Sequence, residues 1–388
     1  MKVLVTCAAG IGHVHPLMPL SRALLARGHD VRFAVAAEHC AAVEQAGIPA
    51  VQAGILGAQR AAAFTAEWGA ECDRLAPSDR PDFMFPRSFG AIAMPQMVAD
   101  VRRVVADWRP DLIVHDAAEL AAPLIAAELG VRRAAHSFGT VTPPQRLASA
   151  AEMTAHLWAE AGVAQPPYAG VYEDVYVDIR PPSLADVPAG SPHVLHERPT
   201  AADAIGGDLP PFVTAPDDRP LVYLTLGTVF TSPAVMRTAI AGIATLPVRL
   251  LLTVGPRVDP GEIGAVADHV HVTRYVPQTE LLAHCAVVVS HAGSGTFLAA
   301  LAQGLPQLCL PQGADQYTNA ADGARAGAAI MLSAAEATPD AIGAAVSKLL
   351  SAPSYLAGAR RLAAEIAQMP TADDVAAALE ATTPSAQA

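Results

Sequence analysis

Short apolar segments alternate with longer helical patterns, and this alternation is the strongest constraint on the fold. Near the start of the chain, residues 2–7, 31–35 and 48–52 are predicted strands, and residues 16–27 and 40–46 are predicted helices between them. Consecutive parallel strands need a crossover connection that is usually a helix, so this order predicts a parallel sheet with helices on both faces. The predicted fold class is therefore α/β.

The alternation continues to about residue 135 and starts again after residue 220. Between the two series lies the segment 206–220, which is rich in glycine and proline and is the best candidate for a linker. We predict an N-terminal domain over 1–205, a linker over 206–220 and a C-terminal domain over 221–369. In the second series the predicted strands are 221–226, 249–253, 270–273, 286–290 and 307–310.

Two segments, 55–95 and 142–178, interrupt the alternation and are predicted to be long loops. Both are rich in aromatic residues, and the first contains four prolines. Long loops in compact domains are commonly functional, so contact with an apolar ligand is one explanation. Packing of each segment on its own domain is the other. The side chains predicted to line an apolar binding site are Phe83, Phe85, Phe89, Met94 and Phe138.

The composition excludes several classes of protein. With 52% hydrophobic and 16% charged residues, the chain of 388 residues is too apolar for intrinsic disorder. A net charge of −12 argues against a nucleic-acid partner. The longest uncharged stretch, 287–314, is interrupted by glycines and prolines, which argues against a membrane span. Five scattered cysteines without a C-x-x-C pair predict neither disulfides nor a zinc site, and indicate a reducing, cytoplasmic location.

Two glycine-containing turns follow predicted strands. The first, GIGH at 10–13, lacks the third glycine of a dinucleotide-binding fingerprint and places His13 on a loop at the carboxyl edge of the sheet. The second, SHAGSGT at 290–296, leads into a predicted helix whose free N–H groups suit a phosphate, although it lacks the lysine of a P-loop. A plain tight turn explains the second pattern equally well.

A third polar turn, PQGADQ at 311–316, follows another predicted strand. Asp315 accepts hydrogen bonds and Gln316 both donates and accepts them, which suits a ligand with many hydroxyl groups. A helix-capping role for Asp315 is an equally good interpretation of the residues alone.

These three segments, together with Thr228 in LGTVF and the segment YVPQ at 275–278, occur in the order and spacing found in family 1 glycosyltransferases. The chain resembles the bacterial members that glycosylate polyketide antibiotics and other natural products. The resemblance covers nearly the whole chain and is most specific over 275–320. It implies the GT-B fold, in which an acceptor-binding and a nucleotide-sugar-binding Rossmann-like domain face each other across a cleft. It also implies that residues 370–388 form a final helix that crosses back to the N-terminal domain.

The resemblance also implies a catalytic pair. His13 matches the general base of the family, and Asp116, in the strand LIVHD, matches the carboxylate that holds this base. A neutral imidazole can take a proton from an acceptor hydroxyl, and a carboxylate can fix its tautomer and stabilise the imidazolium. An alternative role for Asp116 is to cap the following helix. His115 is predicted to point to the other side of the strand.

The resemblance assigns the donor site in the C-terminal half. The residues implied for the diphosphate are Thr228, His291, Gly293, Ser294, Gly295 and Thr296; those for the base are Tyr275, Val276 and Gln278; and those for the donor sugar are Asp315 and Gln316. The nucleotide sugar is a co-substrate, and no further cofactor is expected. Because the chain contains no Asp-x-Asp motif, we expect no metal requirement.

The implied activity is that of a hexosyltransferase. It transfers a sugar, with inversion and without metal, from a dTDP- or UDP-sugar to a hydroxyl of a small apolar acceptor such as a polyketide or macrolide aglycone. The alternatives are transfer to a lipid acceptor, transfer to carbon, a sugar-nucleotide epimerase of the same fold, and a non-catalytic partner protein. The acidic net charge disfavours the first of these, and the His–Asp pair disfavours the last two. The sequence leaves a homodimer open.

Overall fold

The computed structural model describes residues 1–76, 79–184, 193–200, 208–228 and 232–382. They group into two compact units. The N-terminal unit holds Met1–Arg180, residues 193–200 and the residues from Met369 onward. The C-terminal unit holds Pro181–Leu184 and the described residues from 208 to Gln368. Within these ranges, no helix combines the length and the apolar character that a membrane crossing requires.

The N-terminal unit contains a seven-stranded sheet in the order β3-β2-β1-β4-β5-β6-β7, with every neighbouring pair parallel. Its strands are β1 (Lys2–Thr6), β2 (Asp30–Val35), β3 (Ala50–Gln52), β4 (Leu112–Asp116), β5 (Arg132–His136), β6 (Val175–Asp178) and β7 (Val194–His196). Its helices up to residue 161 are α1 (Ile11–Ala26), α2 (Ala37–Gln45), α3 (Gly57–Cys72), α4 (Arg80–Phe85), a π-helix (Pro86–Ala93), α5 (Met94–Ala106), α6 (Ala121–Leu129) and α7 (Pro144–Ala161).

Strand β1 shows why this sheet forms. Val3, Leu4 and Val5 are all fully buried, as expected for a parallel strand covered on both faces. Val3 and Val5 pack into a core with Leu20 of α1, and Leu4 packs into the opposite core with Ile113 of β4. The predicted α/β fold with helices on both faces is thus confirmed for this unit.

The segment 55–95 is helical, and its prediction as a loop is wrong. Helices α3, α4, the π-helix and α5 follow one another through it. Pro81, Pro86 and Pro95 each lie in the first turn of a helix, where the missing N–H costs nothing. The prolines therefore mark helix starts in a series of short helices, whereas the sequence pattern was interpreted as a series of helix breaks.

The segment 142–178 is also mostly regular. Helix α7 covers eighteen of its residues and begins with Pro144 in its first turn. Strands β6 and β7 were not predicted, and they extend the sheet beyond β5. Trp158 of α7 and Tyr176 of β6 are both 1% exposed, so these aromatic side chains belong to the core of the unit and not to a ligand surface.

Helix α1 starts five residues earlier than predicted, so His13 lies in its first turn and not on a loop. The predicted first-turn proline, Pro16, is inside the helix together with Pro19. Interior proline is rare because it removes a backbone donor, which is why the sequence pattern placed the start at Pro16. A Cβ on Gly10, the residue before the helix, would lie 3.2 Å from His13 Cδ2, so glycine leaves room for this imidazole.

The C-terminal unit contains a six-stranded parallel sheet in the order β10-β9-β8-β11-β12-β13. Its strands are β8 (Leu221–Thr225), β9 (Arg249–Thr253), β10 (Val270–Thr273), β11 (Cys285–Ser290), β12 (Gln307–Cys309) and β13 (Ala329–Met331). Its α-helices are α8 (Pro211–Thr214), α9 (Pro233–Ile243), α10 (Gln278–Leu282), α11 (Ser294–Ala302), α12 (Gln316–Arg325), α13 (Pro339–Ser351) and α14 (Pro353–Gln368). Five of the six strands match predicted ones, and β13 was missed.

Part of the predicted linker is folded into this unit. Residues 206 and 207 lie outside the described residues, but α8 occupies Pro211–Thr214. Val213 is 3% exposed and packs in a core with Leu221 and Leu251.

The last element of the described residues is helix α15 (Ala372–Thr382), which belongs to the N-terminal unit. Val375, Ala376 and Leu379 are buried in the same core as α1. At the rim of this contact the Arg27 guanidinium donates to Glu380, with 2.7 Å between Nη2 and Oε2. The final helix is thus held by both apolar packing and charge.

Candidate active site

The first candidate site lies where the adjacent strands β1 and β4 end. From β1 the chain continues through α1 to β2, toward one edge of the sheet, and from β4 it continues through α6 to β5, toward the other edge. Ligands of open parallel sheets bind beyond the carboxyl ends of strands at such a switch point. His13 follows β1 in the first turn of α1, and Asp116 is the last residue of β4. The sheet therefore brings the two predicted catalytic residues together.

The imidazole of His13 contacts the carboxylate of Asp116, with 2.8 Å between Nδ1 and Oδ2. The ring nitrogen does not point straight at this oxygen, so the contact is close but is not an aligned hydrogen bond. Asp116 is 1% exposed, and it accepts the backbone N–H groups of Ala8 at 3.2 Å and Ala118 at 3.1 Å. Asp116 therefore fixes the turn after β4 and faces His13, but it does not cap α6, which begins at Ala121.

Two other titratable groups near this pair are turned to other partners. Glu119 accepts the hydroxyl of Thr6 at 2.7 Å and two N–H groups at the start of α6, and burial raises its pKa to about 7. His115 Nδ1 lies 3.0 Å from the backbone oxygen of Asp116, and burial lowers the pKa of His115 to about 4. As predicted, His115 is not the imidazole that meets the carboxylate of Asp116.

Aromatic rings pack against His13. The centroid of Phe138 lies 4.7 Å and that of Phe89 lies 5.7 Å from the imidazole centroid. The ring centroid of Phe85 lies 5.0 Å from that of Phe89. Phe85 is only 8% exposed, so it contributes little surface to this site. Because the His13 side chain is 19% exposed, Phe89 and Phe138 are the predicted acceptor residues that lie beside an accessible imidazole.

The other two predicted acceptor residues are placed differently. Met94 is 1% exposed and packs in the core, so it offers no surface and the prediction for it is wrong. Phe83 on α4 contacts the ring of Phe64 at 6.3 Å and the guanidinium of Arg87 at 3.6 Å. Helical packing of the segment 55–95 explains both positions.

A cavity of about 730 Å³ opens beside β3 in the same unit. Its lining is polar and includes Asp100, whose carboxylate accepts the N–H of Gly54 at 2.8 Å and the amide of Gln96 at 2.9 Å. None of the predicted acceptor residues lines it, so we do not assign the acceptor to this cavity.

The second candidate site lies at the corresponding switch point of the C-terminal sheet, where β8 and β11 end. His291 follows β11, and Gly227 and Thr228 follow β8. A Cβ on Gly227 would lie 2.6 Å from His291 Cε1, and a Cβ on Gly293 would lie 2.4 Å from His291 Nε2. Only glycine at both positions lets the backbone approach the imidazole this closely.

The environment of His291 favours its neutral form. Burial lowers its pKa, and the negative charge of Asp315 opposes this shift only in part. A neutral imidazole donates one hydrogen bond without carrying a charge. The family resemblance implies a diphosphate site at His291, and this side chain is suited there to hydrogen bonding more than to charge neutralisation.

A hydrogen-bonded network joins the second and third motifs. The hydroxyl of Ser294 donates to Asp315 Oδ2 at 2.5 Å, and Asn319 Nδ2 donates to the same oxygen at 3.1 Å. Asn319 also donates to the backbone oxygen of Ala292 at 3.0 Å. These bonds fix Asp315 beside the start of α11.

Gln316 holds the turn that carries Asp315. It is 2% exposed, and its Oε1 accepts the N–H groups of Gln312 at 2.7 Å and Gly313 at 3.1 Å. Ala314 in this turn has φ +55°, a conformation that costs an alanine roughly 1 kcal/mol. The carboxamide oxygen of Gln316 is therefore already committed to the protein.

The start of α11 is suited to an anion. Gly293 precedes the helix, and the N–H groups of its first turn have no partners within the helix. A Cβ on Gly295 would meet nothing within 4 Å, so this face of the turn is open. The side chain of Thr296 accepts a hydrogen bond from Gln278 Nε2 at 3.2 Å, which links the predicted diphosphate and base segments.

The predicted base segment presents an aromatic ring at the surface. Tyr275 is 50% exposed, whereas its neighbour Val276 is 4% exposed and anchors the segment in the core. An exposed ring on an anchored backbone is suited to stacking. Thr228, which follows β8, is also exposed.

Four residues of these sites escaped the sequence analysis. Asn319 had a usable signal, because it lies four residues after Asp315 on a helix and so shares its face. Glu119 has no usable signal, because it lies two residues before α6 and glutamate is not a common N-cap residue. Gly227 has no signal beyond its residue type, and the sequence pattern does not single out Arg60 because it predicts a loop over 55–95.

Comparisons with known proteins agree for both units. The family model of the erythromycin biosynthesis protein CIII-like N-terminal domain matches residues 22–185, and that of the C-terminal domain matches residues 239–382. The chain is 31% identical to the elloramycin glycosyltransferase ElmGT of Streptomyces olivaceus, over 98% of this chain and 97% of that protein. It is 32% identical to the L-demethylnoviosyl transferase of Streptomyces niveus, over 98% of both.

Solved structures match over the same length. The spinosyn rhamnosyltransferase SpnG has a TM-score of 0.81 and 25% identity, covering 98% of this chain and all of that one. The glycosyltransferase SsfS6 of Streptomyces sp. SF2575, solved with thymidine diphosphate, has a TM-score of 0.81 and 26% identity with the same coverage. These similarities confirm the predicted GT-B fold and the resemblance to family 1. The chain belongs to the erythromycin biosynthesis protein CIII-like family and is a family 1 natural-product glycosyltransferase.

Proposed function

We propose that this enzyme transfers a hexose, with inversion at the anomeric carbon, from a thymidine or uridine diphosphate sugar to a hydroxyl of a small apolar aglycone. The observation that carries the proposal is the contact of His13 Nδ1 with the buried carboxylate of Asp116 at 2.8 Å. The names of the relatives support it, because they are transferases of antibiotic pathways. The neighbour structures with thymidine diphosphate favour a thymidine nucleotide.

The proposed proton transfer follows from the orientation of the imidazole. His13 Nδ1 faces Asp116, so Nε2 is the nitrogen that accepts the acceptor hydroxyl proton. The acceptor oxygen forms a bond to the anomeric carbon while the bond from that carbon to the diphosphate oxygen breaks. The nucleoside diphosphate leaves with the electron pair, and Asp116 stabilises the imidazolium that forms.

In this proposal the diphosphate binds at the start of α11. The free N–H groups there and the hydroxyl of Thr296 supply donors, and the helix dipole favours negative charge. Asp315, held by Ser294 and Asn319, accepts hydrogen bonds from donor-sugar hydroxyls. Tyr275 stacks on the base.

We propose that transfer needs no metal, because the residues assigned to the diphosphate offer N–H and O–H donors and the sequence has no Asp-x-Asp motif. The expected result is full activity in EDTA. Loss of activity in EDTA with recovery on adding Mg²⁺ or Mn²⁺ would contradict this part of the proposal.

The test begins with thermal shifts in dTDP, UDP and their sugars, followed by mass spectrometry of products from a panel of aromatic polyketides. His13→Ala is expected to lower kcat by about 10²–10⁴-fold while the shift with dTDP is retained. His156→Ala, an exposed histidine on α7, is the matched control and keeps full activity. No thermal shift with any nucleotide would refute the proposal.

Product chemistry separates the remaining alternatives. An O-glycoside is cleaved by acid and a C-glycoside is not, and a lipid acceptor is tested by adding polyprenyl phosphate to the panel. The cytoplasmic location and the homodimer stay predictions.

A further inference from the structure

Arg60 of α3 lies beside the proposed base with one of its donors unused. Its guanidinium carbon is 4.4 Å from the centroid of Phe89, the ring that also packs against His13 at 5.7 Å. Since both distances are measured to one ring centroid, the guanidinium and the imidazole are at most about 10 Å apart. Arg60 is therefore a neighbour of the place where the acceptor is proposed to bind.

The protein satisfies only part of this guanidinium. Arg60 Nη2 donates to the backbone oxygen of Ala9 at 3.0 Å, which fixes the side chain next to the turn before α1. Arg60 Nη1 is buried and has no hydrogen-bond partner in the described part of the chain. A buried donor without a partner costs about 1–3 kcal/mol, and more when it is charged, so an oxygen that reaches this nitrogen would gain a hydrogen bond.

The carboxylates nearest to Arg60 have partners of their own. Asp116 is bound by Ala8, Ala118 and His13. Glu38 accepts the N–H of Gly57 at 2.8 Å. Among the described residues, no carboxylate oxygen comes within ion-pair distance of the Arg60 guanidinium. The charges of Asp116 and Glu38 therefore act on the Arg60 guanidinium only through space, without a direct ion pair.

We propose that Arg60 binds an anionic oxygen of the acceptor, so that the preferred aglycone is aromatic and carries an ionised carboxylate or phenolate away from the hydroxyl that is glycosylated. This inference rests on the proposed function. The aromatic ring system packs against Phe89 and Phe138, its hydroxyl faces His13 Nε2, and its anionic oxygen accepts Arg60 Nη1–H. A single free donor group suits one oxygen of the anion.

The test measures binding before turnover. The probes are a hydroxynaphthoic acid with its two groups at opposite ends of the rings, its methyl ester, and a dihydroxynaphthalene with one hydroxyl acidified by a nitro group. We expect the wild type to bind the acid or the acidified phenol about 10- to 100-fold more tightly than the ester, as a charge-assisted hydrogen bond does. The two acidic probes separate carboxylate from phenolate recognition.

The variants isolate the arginine. Arg60→Gln is expected to bind acid and ester with nearly equal affinity, and Arg60→Lys to keep part of the preference. Arg74→Gln, an exposed arginine just after α3, removes the same charge and keeps the full preference. Equal affinity of the wild type for acid and ester, or no binding of either acidic probe, overturns the inference even if Arg60→Gln fails to fold.

The two levels of the proposal fail separately. Binding of dTDP and transfer to a neutral phenol, with no preference for acidic probes, would reject the role of Arg60 and leave the glycosyltransferase mechanism intact. Absence of any thermal shift with nucleotides would reject the mechanism itself, whatever Arg60 binds.

Discussion

Replacing Gly293 by alanine is expected to destabilise the C-terminal unit through one specific clash. Gly293 has φ −63° and ψ +141°, which alanine adopts freely, so the backbone itself poses no obstacle. The new Cβ would lie 2.4 Å from His291 Nε2 and 3.0 Å from Cε1. Carbon and nitrogen atoms in contact prefer about 3.5 Å, so the imidazole or the helix start must move by roughly 1 Å.

The magnitude follows from the packing around the imidazole. A Cβ on Gly227 would also lie 2.6 Å from His291, so the ring has little freedom to move toward β8. Overpacking of this kind costs about 1–3 kcal/mol. For a unit of this size each kcal/mol lowers Tm by roughly 2–4 °C, and the loss is measured by thermal and urea unfolding.

A double-mutant cycle tests the cause. In the His291→Ala background the clash is absent, so adding Gly293→Ala should cost less than about 0.5 kcal/mol. Gly295→Ala is the stability control, because its Cβ meets nothing within 4 Å and alanine favours a helix by up to about 1 kcal/mol. If Gly293→Ala destabilises the two backgrounds equally, the clash with His291 is not the reason for glycine at this position.

Three further changes test other contacts. Asp116→Asn should lower kcat by about 10²-fold or more with dTDP affinity unchanged in calorimetry, and a kcat within twofold of wild type would contradict the positioning role. Glu119 has a folded pKa of about 7 against an ordinary 4.5, so its ionisation opposes folding. Stability should fall by up to about 3 kcal/mol as pH rises from 4.5 to 7, and urea titrations of Glu119→Gln should show a flatter profile. Leu379→Ala in α15, at 1% exposure, should cost about 2–5 kcal/mol without changing dTDP binding, and a neutral result would show that α15 is not part of the N-terminal core.

The sequence predicted the two sheets well because their strands are short apolar runs bounded by glycine, proline or polar turns. Strands β8 to β12 are correct to within about one residue at nearly every end. The missed strands β6, β7 and β13 have three or four residues each, too few for a period to show. The sequence predicts parallel pairing, but the order of the strands in each sheet is known only from the structure.

The candidate sites were less predictable where they depend on helices that contain proline, because proline usually indicates that a helix is interrupted. Pro16 and Pro19 lie inside α1, and this moves His13 from a loop to a first helical turn. Pro81, Pro86 and Pro95 begin helices, which places Met94 in the core and Phe89 beside His13. A single sequence cannot distinguish a proline that starts a helix from one that ends it, because a proline without an N–H is tolerated at both positions.

The two switch points each carry a histidine, and their surroundings separate the two chemical roles. His13 has a carboxylate 2.8 Å from Nδ1, so a positive charge formed on its ring is stabilised as it appears. His291 is packed against Gly227 and Gly293, and burial lowers its pKa, so a charge on its ring is disfavoured. If the two environments were exchanged, the imidazole of His13 would hold an accepted proton poorly. The imidazole of His291 would instead carry a positive charge and compete with the start of α11 for the diphosphate. Under the proposed function, the placement of one carboxylate and two glycines, more than the histidines themselves, therefore decides which imidazole moves a proton and which only donates a hydrogen bond.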